Sequence, residues 1–308
     1  MALTLVEAAK ASSGDVVRSA IIELYARSSD ILQVMPFENI SGNALKYNRE
    51  ETLPGVGFRG VNEGYAESTG ILNPVTESLV IAGGDLDVDK FILDTQGEER
   101  RAVQEAMKIK ALSLRLTLSF LKGDTTVNPK ELSGLQARIT GDQLMSAGST
   151  GGGAALSLNK LDELIDQVDN PTHLIMNKAM RRRLTQAARN PSVGGYITYD
   201  IDAFGRRVAK YNDLPILIVD KDNENSDILP FNEAASSGGA TATSIYCVSF
   251  GDEGITGIQN GGIQARDLGE LETKPCFRTR VEWYPGMAIY KGRAGARLRH
   301  VGDLPLVV

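Results

Sequence analysis

The sequence contains, at residues 95–122, the run TQGEERRAVQEAMKIKALSLRLTLSFLK, which predicts one long helix. Thr95 and Glu98 have the three-residue spacing of a capping box, so they mark the predicted N-terminus. Lys122 and Gly123 mark the predicted C-terminus, because a cation suits the negative end of the helix dipole and glycine adopts left-handed backbone readily. At ~1.5 Å per residue the helix would be about 40 Å long, which exceeds the average in compact domains.

The two halves of this helix differ in character. The first half is charged, and Glu105 can pair with Lys108 one turn later. The second half carries leucine or phenylalanine at positions 112, 114, 116, 118, 120 and 121. We therefore expect solvent around the start of the helix and sheets or neighbouring subunits packed around its end.

Composition narrows the classes of function. The chain of 308 residues has a net charge of −6. This charge argues against a protein whose main function is to bind phosphate groups, because such binding requires clustered Lys and Arg. Cys247 and Cys276 are too few for a disulfide framework and suit a reducing cytosol. The sequence has no pattern of a signal peptide and no apolar run of membrane-spanning length. We expect a product that stays in the cytoplasm where it is made, with no membrane partner.

Residues 44–74 change in composition to ALKYNREETLPGVGFRGVNEGYAESTGILNP, which is rich in glycine and charge. This pattern predicts an extended two-stranded ribbon whose tip lies near Leu53, Pro54 and Gly57. A two-stranded ribbon is marginal alone in water, so its length implies a partner surface. The alternative interpretation is a disordered surface loop.

The segments around the ribbon and the long helix predict further elements. Residues 1–43 predict an arm with helices that follow Thr4 and Asp15. Residues 75–93 predict a strand pair that leads into the long helix. The run GDQLMSAGSTGGGAA, residues 141–155, predicts a flexible boundary with a glycine hinge.

The second half of the chain predicts a compact α+β unit over residues 156–273. Short apolar strands alternate there with helices, for which Asn159 and Asn177 are the predicted caps. From Phe277 onward apolar and charged residues alternate, which predicts a long half-buried strand. We expect this C-terminal segment to return to the first sheet.

No pattern predicts a catalytic residue, a cofactor or a metal site. His173 and His300 are the only histidines, which leaves little scope for a zinc site or for a Ser-His or Cys-His pair. Asp85, Asp87 and Asp89 imitate the start of a calcium loop, but the required glycine and glutamate are missing. We interpret these carboxylates as one solvated or interface face of a strand.

The strongest basic run is Arg181, Arg182 and Arg183. Successive helical residues point in different directions, so we interpret this run as a solvated helix face with one or two salt bridges between subunits. A nucleic-acid-binding function for this run is the less favoured interpretation.

The order of all these elements resembles the major capsid protein of tailed double-stranded-DNA bacteriophages, whose fold is shared with the encapsulin shells. Similar stretches are TESLVIAGGDLDVDKFILDT before the long helix, GLQARI at residues 134–139, and FRTRVEWYPGMAIY from Phe277. NKAMRRRLTQAARN, NDLPILIVD and FGD, at residues 177–190, 212–220 and 250–252, resemble the axial domain of that family.

The resemblance implies an α+β fold with the domains of that family. These are an N-arm at residues 1–43, an E-loop at 44–74, a P domain at 75–150 with spine helix 95–122, an A domain at 151–273 and returning P-domain strands at 274–308. The implied contact residues of the E-loop are Leu53, Pro54, Val56, Phe58 and Arg59. The spine-helix candidates are Glu98, Arg101, Glu105 and Lys108, and the A-domain candidates are Arg181, Arg182, Arg183 and Tyr199.

The resemblance further implies a structural protein of the virion with no enzymatic activity. It would be assembled in the host bacterial cytoplasm from hexamers and pentamers into an icosahedral shell around packaged DNA, which it would enclose without sequence-specific binding. The implied partners are further copies of the chain, a scaffolding protein, a portal and a decoration protein. Two alternatives stay open at this point, an encapsulin-type compartment and a cytosolic α+β enzyme.

Overall fold

The computed structural model describes residues 3–4, 29–96, 99–189, 195–201, 205 and 207–307. The arm helices predicted to follow Thr4 and Asp15, and the candidate residue Glu98, lie outside this part of the chain. The helices are α1 (Asp30–Val34), α2 (Lys90–Gln96), α3 (Glu99–Lys122), α4 (Leu135–Arg138), α5 (Leu158–Asp166) and α6 (Lys178–Ala187).

The strands form four sheets within the described residues. Their bounds are β1 (Leu3–Thr4), β2 (Pro36–Asn39), β3 (Ala44–Thr52), β4 (Ile71–Ser78), β5 (Ala82–Asp89), β6 (Leu144–Ser146), β7 (His173–Asn177), β8 (Ile197–Ile201), β9 (Arg207–Tyr211), β10 (Leu214–Val219), β11 (Ala242–Val248), β12 (Ile255–Gln259), β13 (Gln264–Glu270), β14 (Cys276–Trp283), β15 (Pro285–Ile289) and β16 (Gly295–Gly302). The largest sheet has seven strands in the order β6-β16-β11-β7-β10-β9-β8. The others are β1-β2-β12-β15, β13-β14-β5 and the two-stranded β3-β4.

Two clusters of buried side chains form the core. One surrounds the C-terminal half of α3, where Leu116, Phe120 and Leu121 pack with residues of the smaller sheets that include Trp283 and Phe37. The other lies between the seven-stranded sheet and helices α5 and α6. The expectation that the long helix is covered at its end is confirmed, while Val103 and Met107 in its first half are exposed.

The predicted start of the long helix is wrong. Strand β5 leads directly into α2, and the Asp89 carboxylate accepts a hydrogen bond of 2.8 Å from the Phe91 amide. Thr95 lies inside α2, where its hydroxyl donates to the carbonyl of Phe91 at 2.7 Å. A second side-chain acceptor, Asp89, lies six residues before Thr95 at the end of β5, and the helical backbone begins there instead.

The predicted left-handed stop at Gly123 is also wrong, because Gly123 is absent from the residues with positive φ. Its amide instead continues the helical pattern by donating to the carbonyl of Ser119 at 2.8 Å. A Cβ at this position would lie 2.0 Å from the carbonyl oxygen of Leu132. Close approach of two backbone segments, rather than backbone conformation, requires glycine here.

Three predictions about sheet membership are wrong. Residues 75–93 are not a strand pair, because β4 pairs with β3 whereas β5 pairs with β14. The expected return of the C-terminal segment is confirmed for β14, which pairs with β5, but is wrong for β16, which lies beside β11 in the seven-stranded sheet. In the reverse sense, β12 and β13 belong to the smaller sheets with β15 and β14. Which strands pair in a sheet depends on segments far apart in the chain, so the local alternation of residue types does not predict the pairing.

The flexible boundary predicted at residues 141–155 differs from the structure. Strand β6 within it pairs in parallel with β16. The glycine run that follows is packed, since a Cβ on Gly153 would lie 2.9 Å from the amide nitrogen of Gly302. Gly153 therefore allows close contact with β16, which is a packing role and not the predicted hinge.

Several local predictions are confirmed. The ribbon is two-stranded, with β3 and β4 antiparallel from the pair Ala44–Ser78 to the pair Thr52–Ile71. Its reversal extends over residues 53–70, with a turn at Val61 and Asn62 beyond the predicted tip. Asn177 caps α6 by accepting from the Met180 amide at 2.8 Å, whereas Ser157 rather than Asn159 precedes α5.

Candidate assembly surfaces

The ribbon tip, residues 53–70, carries apolar side chains that contact little of their own subunit. Val56 is 93% exposed and Phe58 is fully exposed at 107%. The other large apolar side chains exposed on the tip are Leu53, Val61 and Tyr65. Soluble proteins rarely expose so many neighbouring apolar groups unless a partner covers them.

Local contacts give the ribbon tip a definite shape. The Arg59 guanidinium lies 5.2 Å from the centre of the Tyr65 ring and donates to the carbonyl of Glu63 at 3.2 Å. The Glu63 carboxylate in turn accepts from the Gly60 amide at 2.8 Å. Of the predicted E-loop residues, Arg59 thus organises the tip, while Leu53, Pro54, Val56 and Phe58 present its exposed surface.

The base of the ribbon is fixed to the body by polar contacts that the sequence did not indicate. Arg138 of α4 donates to both carboxylate oxygens of Glu77, at 2.8 and 2.7 Å. The Tyr47 hydroxyl donates to the carbonyl of Ile289 at 2.8 Å, and the Tyr47 ring contacts that of Tyr290 edge-on at 4.8 Å. Burial raises the pKa of Tyr47, so this phenol stays protonated.

The described spine-helix candidates make contacts within their own chain. Arg101 pairs with Glu105 at 3.2 Å and with Asp267 at 2.7 Å, and it also donates to the hydroxyl of Thr279. The hydrogen bond that Arg101 donates to Asp267 raises the pKa of Arg101 and lowers that of Asp267. Lys108 lies over Gly84, so the predicted pair with Glu105 is replaced by the contact of Glu105 with Arg101.

The arginine run on α6 is divided among different environments. Arg183 pairs with Asp303 at 2.8 Å and donates to its carbonyl, so the bridge predicted between subunits lies within the chain. Arg182 is exposed, and the Nε atom of Arg181 is buried without a hydrogen-bond partner in the described part of the chain. Tyr199 on β8 is 44% exposed, with the Arg207 guanidinium 3.9 Å from its ring centre.

The acidic strand β5 forms an ion-pair ladder rather than a metal site. Asp85 is paired with Arg280 at 2.7 Å, and Asp87 with Arg278 at 2.6 Å, because the register of β5 and β14 sets these residues directly opposite each other. Hydrogen bonds from the arginines lower the pKa of both carboxyls. Among the described residues, no group of three or more His, Cys, Asp or Glu is arranged to hold a metal ion.

A Ser-His contact is present that the sequence did not indicate. The Ser146 hydroxyl lies 2.9 Å from Nδ1 of His300 and donates to the carbonyl of Gly148 at 3.0 Å. Because a hydroxyl has a single proton, Ser146 accepts from His300 in this arrangement and is not activated as a nucleophile by it.

His173 at the start of β7 predicts a pH dependence of stability. Burial lowers its pKa to about 4, so the unfolded chain binds the proton more readily. Stability from this group is fully present above pH ~6.5 and is lost as the pH falls towards about 4. Between pH 7.5 and 4.5 we expect wild type to lose about 2 kcal/mol more unfolding free energy than His173→Gln. Denaturant titrations at both pH values test this, and equal losses in the two proteins would contradict it.

Within the described residues, no helix has the length and apolarity needed to span a membrane.

No curated protein matches the sequence. Three solved structures share the fold. The holo-SrpI encapsulin complex of Synechococcus elongatus PCC 7942 is 17% identical, with 90% of this chain and 89% of that chain covered and a TM-score of 0.64. A chain of Mycobacterium phage Bobi is 13% identical, with coverages of 88% and 89% and a TM-score of 0.61. The capsid of a native GTA particle is 15% identical, with coverages of 89% and 91% and a TM-score of 0.59.

The chain therefore has the α+β fold that tailed-phage capsid proteins share with encapsulins. In addition, residues 13–157 match the family model described as major capsid protein GP7. Over these residues the chain is similar to a major capsid protein, and its fold as a whole is the one found in the capsid and encapsulin structures above.

Proposed function

We propose that this chain assembles into hexamers and pentamers that close into an icosahedral shell around packaged double-stranded DNA. The observation that carries the proposal is the ribbon tip, whose apolar side chains are not covered by the described residues of their own subunit. Burying such a side chain stabilises a contact by about 1.5–3 kcal/mol. In a closed shell every copy would have its tip covered by a neighbour.

The mechanism of this function is association without bond chemistry, so no enzymatic activity is proposed. Each subunit makes several moderate contacts, and the closed shell is far more stable than any one contact because all contacts must break together. The fixed base of the ribbon, with Glu77 held by Arg138, keeps the tip at a defined angle to the body. A defined angle reduces the entropy lost on association.

The assignment of domains and contact residues is part of the proposal. The arm and the E-loop retain the boundaries predicted above. By sheet membership, β6 and β16 are assigned to the A domain, and β12 and β13 to the P domain. The E-loop tip would lie on the neighbouring subunit. Exposed Tyr199 and Arg182 would face other copies around the capsomer axis.

Other partners follow from the same proposal. A scaffolding protein would guide assembly, a portal would occupy one vertex, and a decoration protein would bind the outer surface. The DNA inside would be enclosed without sequence-specific contacts. The net charge of −6 supports this arrangement, because an acidic shell does not hold tightly packed DNA by its phosphates.

Electron microscopy of the purified full-length protein tests the proposal directly. We expect closed particles with hexameric and pentameric capsomers. A population of monomers alone, at all concentrations and salt conditions tried, would count against a shell. A monomer with a turnover activity would instead revive the enzyme alternative.

The second candidate function is an encapsulin-type compartment with a protein cargo. The similarity to the SrpI encapsulin over 90% of the chain favours it. The contents of particles isolated from the native source discriminate the two. Nuclease-protected double-stranded DNA supports the phage head, whereas a single co-purifying protein and no nucleic acid supports the compartment.

A further inference from the structure

A cleft of about 320 Å³ lies at the base of the ribbon, between strand β3, helix α4 and the end of strand β15. Its polar lining consists of Arg49, Glu77, Arg138, Thr140 and Gln143. The cleft is large enough for a small ion, and it adjoins both the ribbon and the body of the subunit.

The single carboxylate in this cleft is already neutralised. Glu77 and Arg138 form a two-pronged pair whose side chains are only 13% and 18% exposed. The Tyr47 hydroxyl lies 3.4 Å from the Glu77 carboxylate, although its proton is donated to the carbonyl of Ile289. Glu77 therefore has little remaining capacity to balance another cation.

The second cation of the cleft, Arg49, has no such partner. No hydrogen bond or ion pair joins Arg49 to any residue in the described part of the chain, although its side chain is half-buried. The hydroxyl of Thr140 and the amide of Gln143 are likewise without hydrogen-bond partners among the described residues. The lining thus combines an unbalanced guanidinium with two neutral polar groups, all of which can donate to an anion.

We propose that this cleft binds an oxyanion, a phosphate or a carboxylate, held by Arg49 with support from the Thr140 hydroxyl and the Gln143 amide. A guanidinium presents paired N–H donors that match the geometry of either group. Because Arg49 belongs to the ribbon and Thr140 and Gln143 to the body, the bound anion joins the two. The site therefore sets how firmly the ribbon is held. This inference does not depend on the shell function.

Binding of inorganic phosphate to the full-length protein tests the site. Titration is followed by calorimetry and by thermal unfolding, with chloride at matched ionic strength as the reference and acetate as a carboxylate probe. Arg49→Gln should weaken binding roughly tenfold or more, because a charge-assisted hydrogen bond is lost. Lys46→Gln is the matched control, since it removes the same charge from the same strand at an exposed residue outside the cleft.

The two probes separate the sources of the anion. Phosphate binding that Arg49→Gln weakens and Lys46→Gln does not supports a site for free phosphate. Acetate binding with the same pattern, in the absence of phosphate binding, supports a site for a carboxylate side chain. Equal weakening by both variants, or no binding of either anion by wild type, would overturn the proposal.

Discussion

Phe58→Asp should abolish shell assembly and leave the folded subunit intact. The Phe58 side chain is fully exposed, so a carboxylate at this position costs the isolated subunit almost nothing, within about 0.5 kcal/mol of unfolding free energy. In the proposed contact the same carboxylate would be buried on a neighbour without a partner, at a cost of several kcal/mol. Repetition over every subunit of the shell multiplies this cost. Size-exclusion chromatography and electron microscopy measure assembly, and circular dichroism measures the fold.

Phe58→Leu is the matched control for this experiment. It keeps an apolar group at the tip and should assemble, with a reduced yield at most. Particles of normal size and yield from Phe58→Asp would show that the tip is not covered by a neighbour. Loss of the native circular dichroism spectrum would show instead that Phe58 is needed for folding.

Glu233→Gln should lower the unfolding free energy of the subunit by about 3 kcal/mol, because it removes one partner of a buried ion pair. Glu233 and Arg297 lie 2.9 Å apart with side chains 10% exposed, and the hydroxyl of Ser244 bridges them. Lys122, the last residue of α3, faces the same pair, and burial lowers its pKa. Glutamine keeps the shape of Glu233 but leaves these two cations without a counter-charge. Denaturant unfolding of the unassembled subunit measures the loss.

A double-mutant cycle with Arg297→Gln shows whether the loss comes from the pair. The two substitutions together should cost clearly less than the sum of the single changes. Glu253→Gln is the control for charge removal, since Glu253 is exposed and pairs with Lys291 at the surface, and it should leave the unfolding free energy unchanged within error. Strict additivity would mean that Glu233 acts through some other contact.

The sequence predicted elements with strong local signals. Asn177 was identified as a helix cap because its side chain needs only the amide of Met180, three residues away. The ribbon was predicted because its glycine, proline and charge content is a property of one continuous stretch of sequence. The prediction that Thr95 caps a helix was wrong, because Asp89 at the end of β5 accepts from the Phe91 amide and the helical backbone starts there.

Of the candidate contact surface, the sequence predicted the tip of the ribbon but not the contacts at its base. The tip residues Val56 and Phe58 were predicted because the resemblance to tailed-phage capsid proteins implies contacts there, and because glycine and proline indicated that the ribbon reverses in this stretch. The base of the ribbon was not, because Glu77 meets Arg138 across 61 positions of sequence. Neither Arg183 nor Asp303 signals that they pair across 120 positions.

By itself the sequence determined the existence of the long helix, the two-stranded ribbon with its apolar tip, and an acidic chain without a recognisable catalytic or metal-binding pattern. These features depend on interactions between residues that are close in the chain. The tertiary structure alone decided which strands share a sheet, why Gly123 and Gly153 must be glycine, and which charges are paired or left over. Those outcomes depend on contacts between distant segments, and the free energy of such contacts exists only once the backbone has brought them together.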